Sequence, residues 1–344
     1  MNGIKQKVAG WNLQESIKPF SKLTDEDVIK IVNSALLSNP KRATSYKFAF
    51  FKSILDNLFN VDLNSMPECF LSFDSISMRF TEIYWNLVLK FGLSQMPQNQ
   101  YEKKTVVETK LFDFCKKYGF NFPDINFPFE SLKPSLQLEI AKTIQKTVVE
   151  KNVLGAFCSD TNFEFYHFSK AQKWNGIYLN HDAFVTLAKY KSDFEKINYF
   201  EWIKYLESVN TEEQSYQLAK KLDASTERQN LNQYRNALFT FGQTTCFYCG
   251  KPLSENAVDH FIPWSFTKDD KVWNFVLSCP SCNSKKSNRL TTQHFLQSIN
   301  LRNQKLCNVD LPVVKEDFKT YTYSKLVLMY SNAIFNGFTP DWQP

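Results

Sequence analysis

Glycine is scarce in this chain, 9 in 344 residues. Tight hairpins draw on glycine wherever the backbone must turn left-handed, so a turn-rich sandwich is disfavoured. Long apolar runs are missing too, and no stretch has the length that a membrane span needs. The opening segment, MNGIKQKVAGWNLQES, lacks the apolar core of a secretory signal. A soluble, cytoplasmic protein is expected. There is no internal repeat and no low-complexity tract. No glycine-rich phosphate loop is present, so nothing supports a nucleotide site.

Phenylalanine, by contrast, is plentiful at 32 residues. Many Phe and few Gly fit a helical scaffold with aromatic packing. Hydrophobic content is 43%, enough for a sizeable core. The net charge of +6 is a mild excess, compatible with a phosphate-bearing partner without establishing one. In a reducing compartment the 8 cysteines read as thiols or metal ligands, not disulfides. Cys69, Cys115, Cys158 and Cys307 stand alone and read as small buried hydrophobes. The other four come in pairs.

Up to about Leu93 the pattern is helical. Ser45 is placed to cap a helix through YKFAFFKSILDNLFN, and SISMRFTEIYWNLVLKFG forms another, with GLSQMPQNQ as its exit loop. Their aromatic stripes read as core. A further helix is expected from Ser135 to Lys151. Then FEFYHFSK alternates, and WNGIYL holds an Asn175-Gly176 pair of the hairpin kind, so a short β-hairpin is expected near 161–180. His167 and His181 lie beside it with no ligand companions and read as packing or surface residues. Residues 182–210 and 211–241 turn helical again. Lys220, Lys221, Arg228 and Arg235 suit either a phosphate track or a solvated face. KEDFKTYTYSKLVLMYSNAIF reads as one closing amphipathic helix.

The informative segment is CFYCGKPLSENAVDHFIPWSFTKDDKVWNFVLSCPSCNSKKSNRL. Cys246 and Cys249 form one C-x-x-C pair, and Cys279 and Cys282 form a second. Two such knuckles can converge on one tetrahedral zinc, and four sulfur ligands leave no open position, so that zinc should be structural. Between the knuckles, Asp259-His260 follows Ala257-Val258 and should sit on a short strand that Pro263 ends. Asn274 precedes the apolar Phe275, Val276 and Leu277 on the other side of a hairpin. Asn283 directly follows the last cysteine, where a helix should open. One carboxylate, one imidazole and two carboxamides thus gather in a small cradle.

The order D-H-x-x-P, then N, then C-x-x-C-N-x-x-K resembles the zinc-bearing branch of the HNH endonucleases, also called ββα-metal or His-Me finger nucleases. The resemblance covers residues 240–295. The spacing is also similar to the HNH domain of RNA-guided CRISPR effector nucleases, and the flanking helices resemble HNH proteins of restriction or phage defence. The third family position is Asn283 instead of His, a variant that still offers an oxygen ligand. The resemblance implies that His260 takes a proton from water. It implies that Asp259 and Asn283 hold a catalytic divalent ion, Mg2+ or Mn2+. Asn274 would brace the loop and orient the His260 ring, and Lys286 would meet a phosphate oxygen. His294, on a presumed downstream helix, reads as a surface residue.

The resulting expectation is a mainly α chain with a small α+β part. Residues 1–210 form a mostly helical recognition or regulatory scaffold, and residues 211–344 form a zinc-supported ββα-metal (HNH) nuclease domain with flanking helices. The expected activity is metal-dependent hydrolysis of DNA to 5′-phosphate and 3′-hydroxyl ends, in restriction or anti-phage defence. One site per chain cuts one strand per encounter, so cutting both strands calls for a homodimer, a partner protein or successive nicks. Two alternatives stand beside it. One is an effector nuclease released by a partner or signal. The other is a non-catalytic, zinc-dependent nucleic-acid-binding protein.

Overall fold

The computed structural model describes residues 19–37, 44–62, 68–97, 103–121, 125–169, 171–226 and 231–344. The chain divides into two compact units, Met1–Leu187 with Asp193–Glu227, and Ala188–Ser192 with Arg228–Pro344. The fold is mainly helical, with two small sheets among the described residues. No helix among the described residues is long and apolar enough to cross a membrane.

In the first unit, local signals start and stop the helices. Thr24 and Asp27 close a capping box on helix Asp25–Leu36, and Thr105 and Glu108 do the same for Val106–Tyr118. Gly119, at φ 71°, ends the latter in the left-handed region. Helix Tyr46–Asp56 forms where its periodicity places it, but Ser45 does not cap it. Ser45 spends its single proton on Gln95 Oε1 at 2.7 Å and lies 2.8 Å from the Tyr84 hydroxyl, tying three segments together. Helices Phe73–Tyr84 and Pro134–Ile144 each run on into a π-helical turn, Trp85–Lys90 and Gln145–Val153.

A three-stranded antiparallel sheet interrupts the helices. Strand β1 (Glu68–Ser72) lies inside the stretch expected to be wholly helical. It pairs with β3 (Gly176–Asn180), which also pairs with β2 (Tyr166–His167). The partner that makes β1 a strand lies about a hundred residues away, beyond any local periodicity. Gly176 serves this pairing instead of a hairpin turn: a Cβ there would stand 2.4 Å from the Leu71 carbonyl and 2.5 Å from the Phe70 ring.

The Phe excess goes into this unit's core. Phe157 lies among Phe50, Phe51, Phe165 and Tyr166, with ring centroids 5.5–6.3 Å apart and every ring fully buried. His167 is buried and stacks on Phe20 at 3.8 Å, and that burial lowers its pKa. His181 is part-exposed beside Asp182. Cys69, Cys115 and Cys158 are buried, and desolvation pushes their thiols up to about 11, 11 and 12. Cys307, in the second unit, departs from expectation: it caps the end of helix His294–Leu306 and is exposed.

Among its described residues, the stretch 211–241 holds three short helices. Glu212–Ser215 and Leu218–Asp223 belong to the first unit and are separated at Gln217, whose φ is 56°. Asn232–Thr240 belongs to the second. Lys220 and Lys221 therefore sit in one unit and Arg235 in the other, and Arg228 lies outside the described residues. Lys221 donates to the Gln214 carbonyl at 2.7 Å.

The second unit is built on an antiparallel pair, β4 (Ala257–His260) and β5 (Phe275–Ser278), followed by helix Pro280–Lys286. So small a motif cannot bury much by itself. Flanking helices supply the rest: Tyr234, Ala237, Leu238, Leu306 and Val314 pack with Val272, Phe275 and Leu277. The closing segment is two helices, Pro312–Phe318 and Tyr323–Phe335, not one. Thr322 restarts the helix by accepting from the Lys325 backbone N–H.

Candidate active site

Each cysteine pair is shaped by backbone bonds. In the first knuckle, Cys246 N–H donates to the Lys251 carbonyl (2.8 Å) and Gly250 N–H to the Cys246 carbonyl (2.9 Å). Gly250, at φ 71°, lets the chain reverse there. Phe247 N–H donates to the Leu277 carbonyl, tying the knuckle to β5. In the second knuckle, Cys279 caps helix Pro280–Lys286, its sulfur accepting from the Cys282 backbone N–H at 3.5 Å. That N–H stabilises the thiolate and lowers Cys279 to about 7.

All four sulfurs lie within 4.8 Å of one another, with Cys249 and Cys279 at 4.0 Å. Tetrahedral zinc with ordinary Zn–S bonds needs sulfurs about 3.8 Å apart. The cluster fits that ion, with all four positions taken by sulfur.

Strand β4 carries Asp259 and His260 into a cleft of about 330 Å³, lined also by Pro263, Trp264, Asn283 and Ser287. The helix after the second knuckle brings Asn283 to the same cleft. Three of the expected site residues, Asp259, His260 and Asn283, therefore share one cavity. Asn274 and Lys286 do not line it.

Asn274 is a loop brace. Its Oδ1 accepts from the Ile262 N–H (2.9 Å) and its Nδ2 donates to the Ile262 carbonyl (3.0 Å). Its own carbonyl accepts from Phe261 N–H at 2.7 Å. Asn274 has no bond to the His260 ring, which is held elsewhere: its Nε2 lies 2.7 Å from Asp270 Oδ1, and it packs against Phe275 with centroids 4.4 Å apart.

Lys286 corrects the expectation more sharply. Its side chain is 0% exposed and does not line the cleft. The ammonium donates to the His260 carbonyl at 2.7 Å and pairs with Asp259 Oδ2 at 3.0 Å. Burial lowers its pKa, while Asp259 opposes the shift. The reason is helical geometry: at the last turn Lys286 faces back under β4.

Asp259 Oδ2 takes a second donor, the hydroxyl of Tyr248 at 2.5 Å. Tyr248 sits between the two cysteines of the first knuckle. Burial, then the Asp259 charge, push its phenol well above its ordinary range, so it remains a donor. With Oδ2 occupied by Tyr248 and Lys286, Oδ1 is the oxygen left to serve the cleft. That carboxylate oxygen and the Asn283 carboxamide form a hard donor set suited to a small divalent cation.

Further residues outside the motif hold the frame. Arg302 is buried and donates to the carbonyls of Phe275 (2.6 Å) and Trp273 (3.1 Å), and Asn303 donates to Trp273 as well. Burial lowers Arg302 to about 9. Asp317 accepts from Val272 N–H at 2.7 Å and pairs with Lys271. None of these roles could be read from spacing. Tyr248, between two ligands, and Asp270, in a charged loop before Asn274, had at least a suggestive position. His294 is bonded to Thr292 and does not line the cleft.

Residues 246–292 match the HNH endonuclease family. The match begins at Cys246 and encloses all four cysteines together with Asp259, His260, Asp270, Asn274, Asn283 and Lys286. No curated protein and no solved structure matches the chain.

Proposed function

Because residues 246–292 form an HNH endonuclease domain of the zinc-bearing C-x-x-C kind, we propose that the protein hydrolyses DNA phosphodiester bonds with the aid of a divalent cation. The observation that carries this is the single cleft shared by Asp259, His260 and Asn283.

His260 is the cleft's proton acceptor. It takes the proton of a water whose oxygen bonds to phosphorus. The P–O3′ bond breaks, and the departing oxygen is protonated from solvent, leaving 5′-phosphate and 3′-hydroxyl ends. Asp259 and Asn283 would hold Mg2+ or Mn2+, which when bound supplies charge relief to the phosphate and the leaving oxygen. Tyr248 and Lys286 fix the Asp259 carboxylate, and Asn274 fixes the turn after β4. The cysteine cluster holds structural zinc and takes no part in the chemistry. The first unit is the recognition or regulatory module of a cytoplasmic restriction or anti-phage nuclease. Its support is its size and its separation from the matched segment.

Incubation of the zinc-loaded chain with supercoiled DNA and Mg2+ or Mn2+ should give nicked or linear product. His260→Ala should abolish cleavage at unchanged zinc content. Full activity in that variant would refute the mechanism.

A further inference from the structure

The imidazole of His260 has two nitrogens, and their roles follow from what each one meets. Nε2 lies 2.7 Å from Asp270 Oδ1. An ionised carboxylate only accepts hydrogen bonds, so Nε2 must carry a proton for this contact to be favourable. In the neutral ring the lone pair then resides on Nδ1. His260 also lines the cleft with Asp259 and Asn283, so Nδ1 is the nitrogen left for the cleft.

The loop that presents Asp270 is fixed on both sides. Lys268, at φ 53°, turns the chain, and the Tyr234 hydroxyl donates to the Asp270 carbonyl at 3.0 Å. Two residues on, Val272 N–H is held by Asp317. Phe275 packs on the ring's face, and Lys286 holds the His260 carbonyl. Side chain, ring face and backbone are thus each restrained by a different element of the same unit.

We propose that Asp270 is a positioning residue for the reaction, locking His260 as the Nε2–H tautomer so that Nδ1 faces the attacking water as the base. Asp270 does not line the cleft and acts through His260. When Nδ1 gains its proton the ring becomes an imidazolium, and the Asp270 carboxylate is already aligned with its positive edge. This assignment rests on the nuclease reading for its consequence, but its geometry can be tested apart from that reading.

The test combines nitrogen NMR with kinetics on the full, zinc-loaded chain. With 15N-labelled histidine, at alkaline pH where the ring is neutral, the His260 signals are identified by their loss in His260→Ala. The parent should show a protonated Nε2 and a lone-pair Nδ1. In Asp270→Ala the ring should become a mixture of tautomers. On supercoiled DNA, kcat should fall on the order of 100-fold, the lower end of what a positioned general base contributes, with KM little changed. Asp270→Asn keeps the volume and should shift both readouts the same way by less, which covers an alanine variant that fails to fold. Asp269→Asn is the neighbouring control and should leave both unchanged. A ring signal unaltered in both Asp270 variants overturns the proposal, whether or not the protein cuts DNA. A parent with the expected tautomer, lost on substitution, upholds the assignment even without cleavage, and the absence of cleavage then refutes the nuclease reading instead.

Discussion

In the first unit, buried rings of Phe50, Phe51, Phe157, Phe165 and Tyr166 fill space with no directional demand on the backbone. Its buried Lys52 pairs with buried Asp56, and half-buried Arg79 with Glu82, side chain to side chain. In the second unit the buried cations also grip the main chain, although Lys286 pairs with the Asp259 carboxylate as well. Lys286 grips the His260 carbonyl, and Arg302 grips those of Trp273 and Phe275. Asn274 does the same to Ile262 through both of its amide ends. Apolar packing sets a fold but tolerates small shifts of the chain. A hydrogen bond to a main-chain carbonyl fixes the path of that residue. The first unit uses such bonds too, at Asn86 and Asn198, but the second, whose two-stranded sheet buries little by itself, relies on them around β4 and β5.

The largest expected effect separates the units by metal. Stripping zinc with a strong chelator, or making Cys249→Ser, should abolish the second unit's folding transition, since structural zinc contributes about 10–16 kcal/mol in small domains. The first unit should melt unchanged in calorimetry. Loss of both transitions, or of neither, would break the comparison. Next come two substitutions of similar size aimed at opposite units. Phe157→Ala should destabilise the first unit by about 3–5 kcal/mol, through transfer and cavity costs. Lys286→Met should destabilise the second by about 3–5 kcal/mol, because it leaves Asp259 buried without its cation. Each should move only its own transition. The smallest effect is one of pH. Burial raises the Asp317 carboxyl from 3.8 to about 6. The folded chain therefore holds that proton more tightly than the unfolded chain does. Its contribution to stability is full below about pH 4 and is lost as pH rises through about 6. Asp317→Asn should remove a slope on the order of 3 kcal/mol across that window, measured against the parent by denaturant titration.

The two units also differ in how much the sequence disclosed. Cys246, Cys249, Cys279 and Cys282 were legible because ligand chemistry imposes a spacing. Asp259 and Asn283 followed from a strand and a helix start beside them. Lys286 was misread because a Lys-Lys pair at a helix end ordinarily points to water, and only the crossing of β4 above it makes a burial site. Asp270 sits in a polar loop whose charges look solvated, and its contact with His260 depends on a turn at Lys268 that no local rule requires. In the first unit, helices such as Tyr46–Asp56 were evident from periodicity, whereas β1 was not. A strand that pairs across about a hundred residues leaves no mark in its own neighbourhood. Aromatic stripes announce a core but no ligand, so that unit's fold class was legible and its purpose was not.

The Tyr248 hydroxyl links the first knuckle to the cleft. Its ring is held between Cys246 and Cys249, and its oxygen completes the hydrogen bonding of Asp259. The knuckle and the cleft are therefore not separable parts: a displacement of the Cys246–Cys249 turn carries the Tyr248 hydroxyl with it and takes from Asp259 one of its two buried donors.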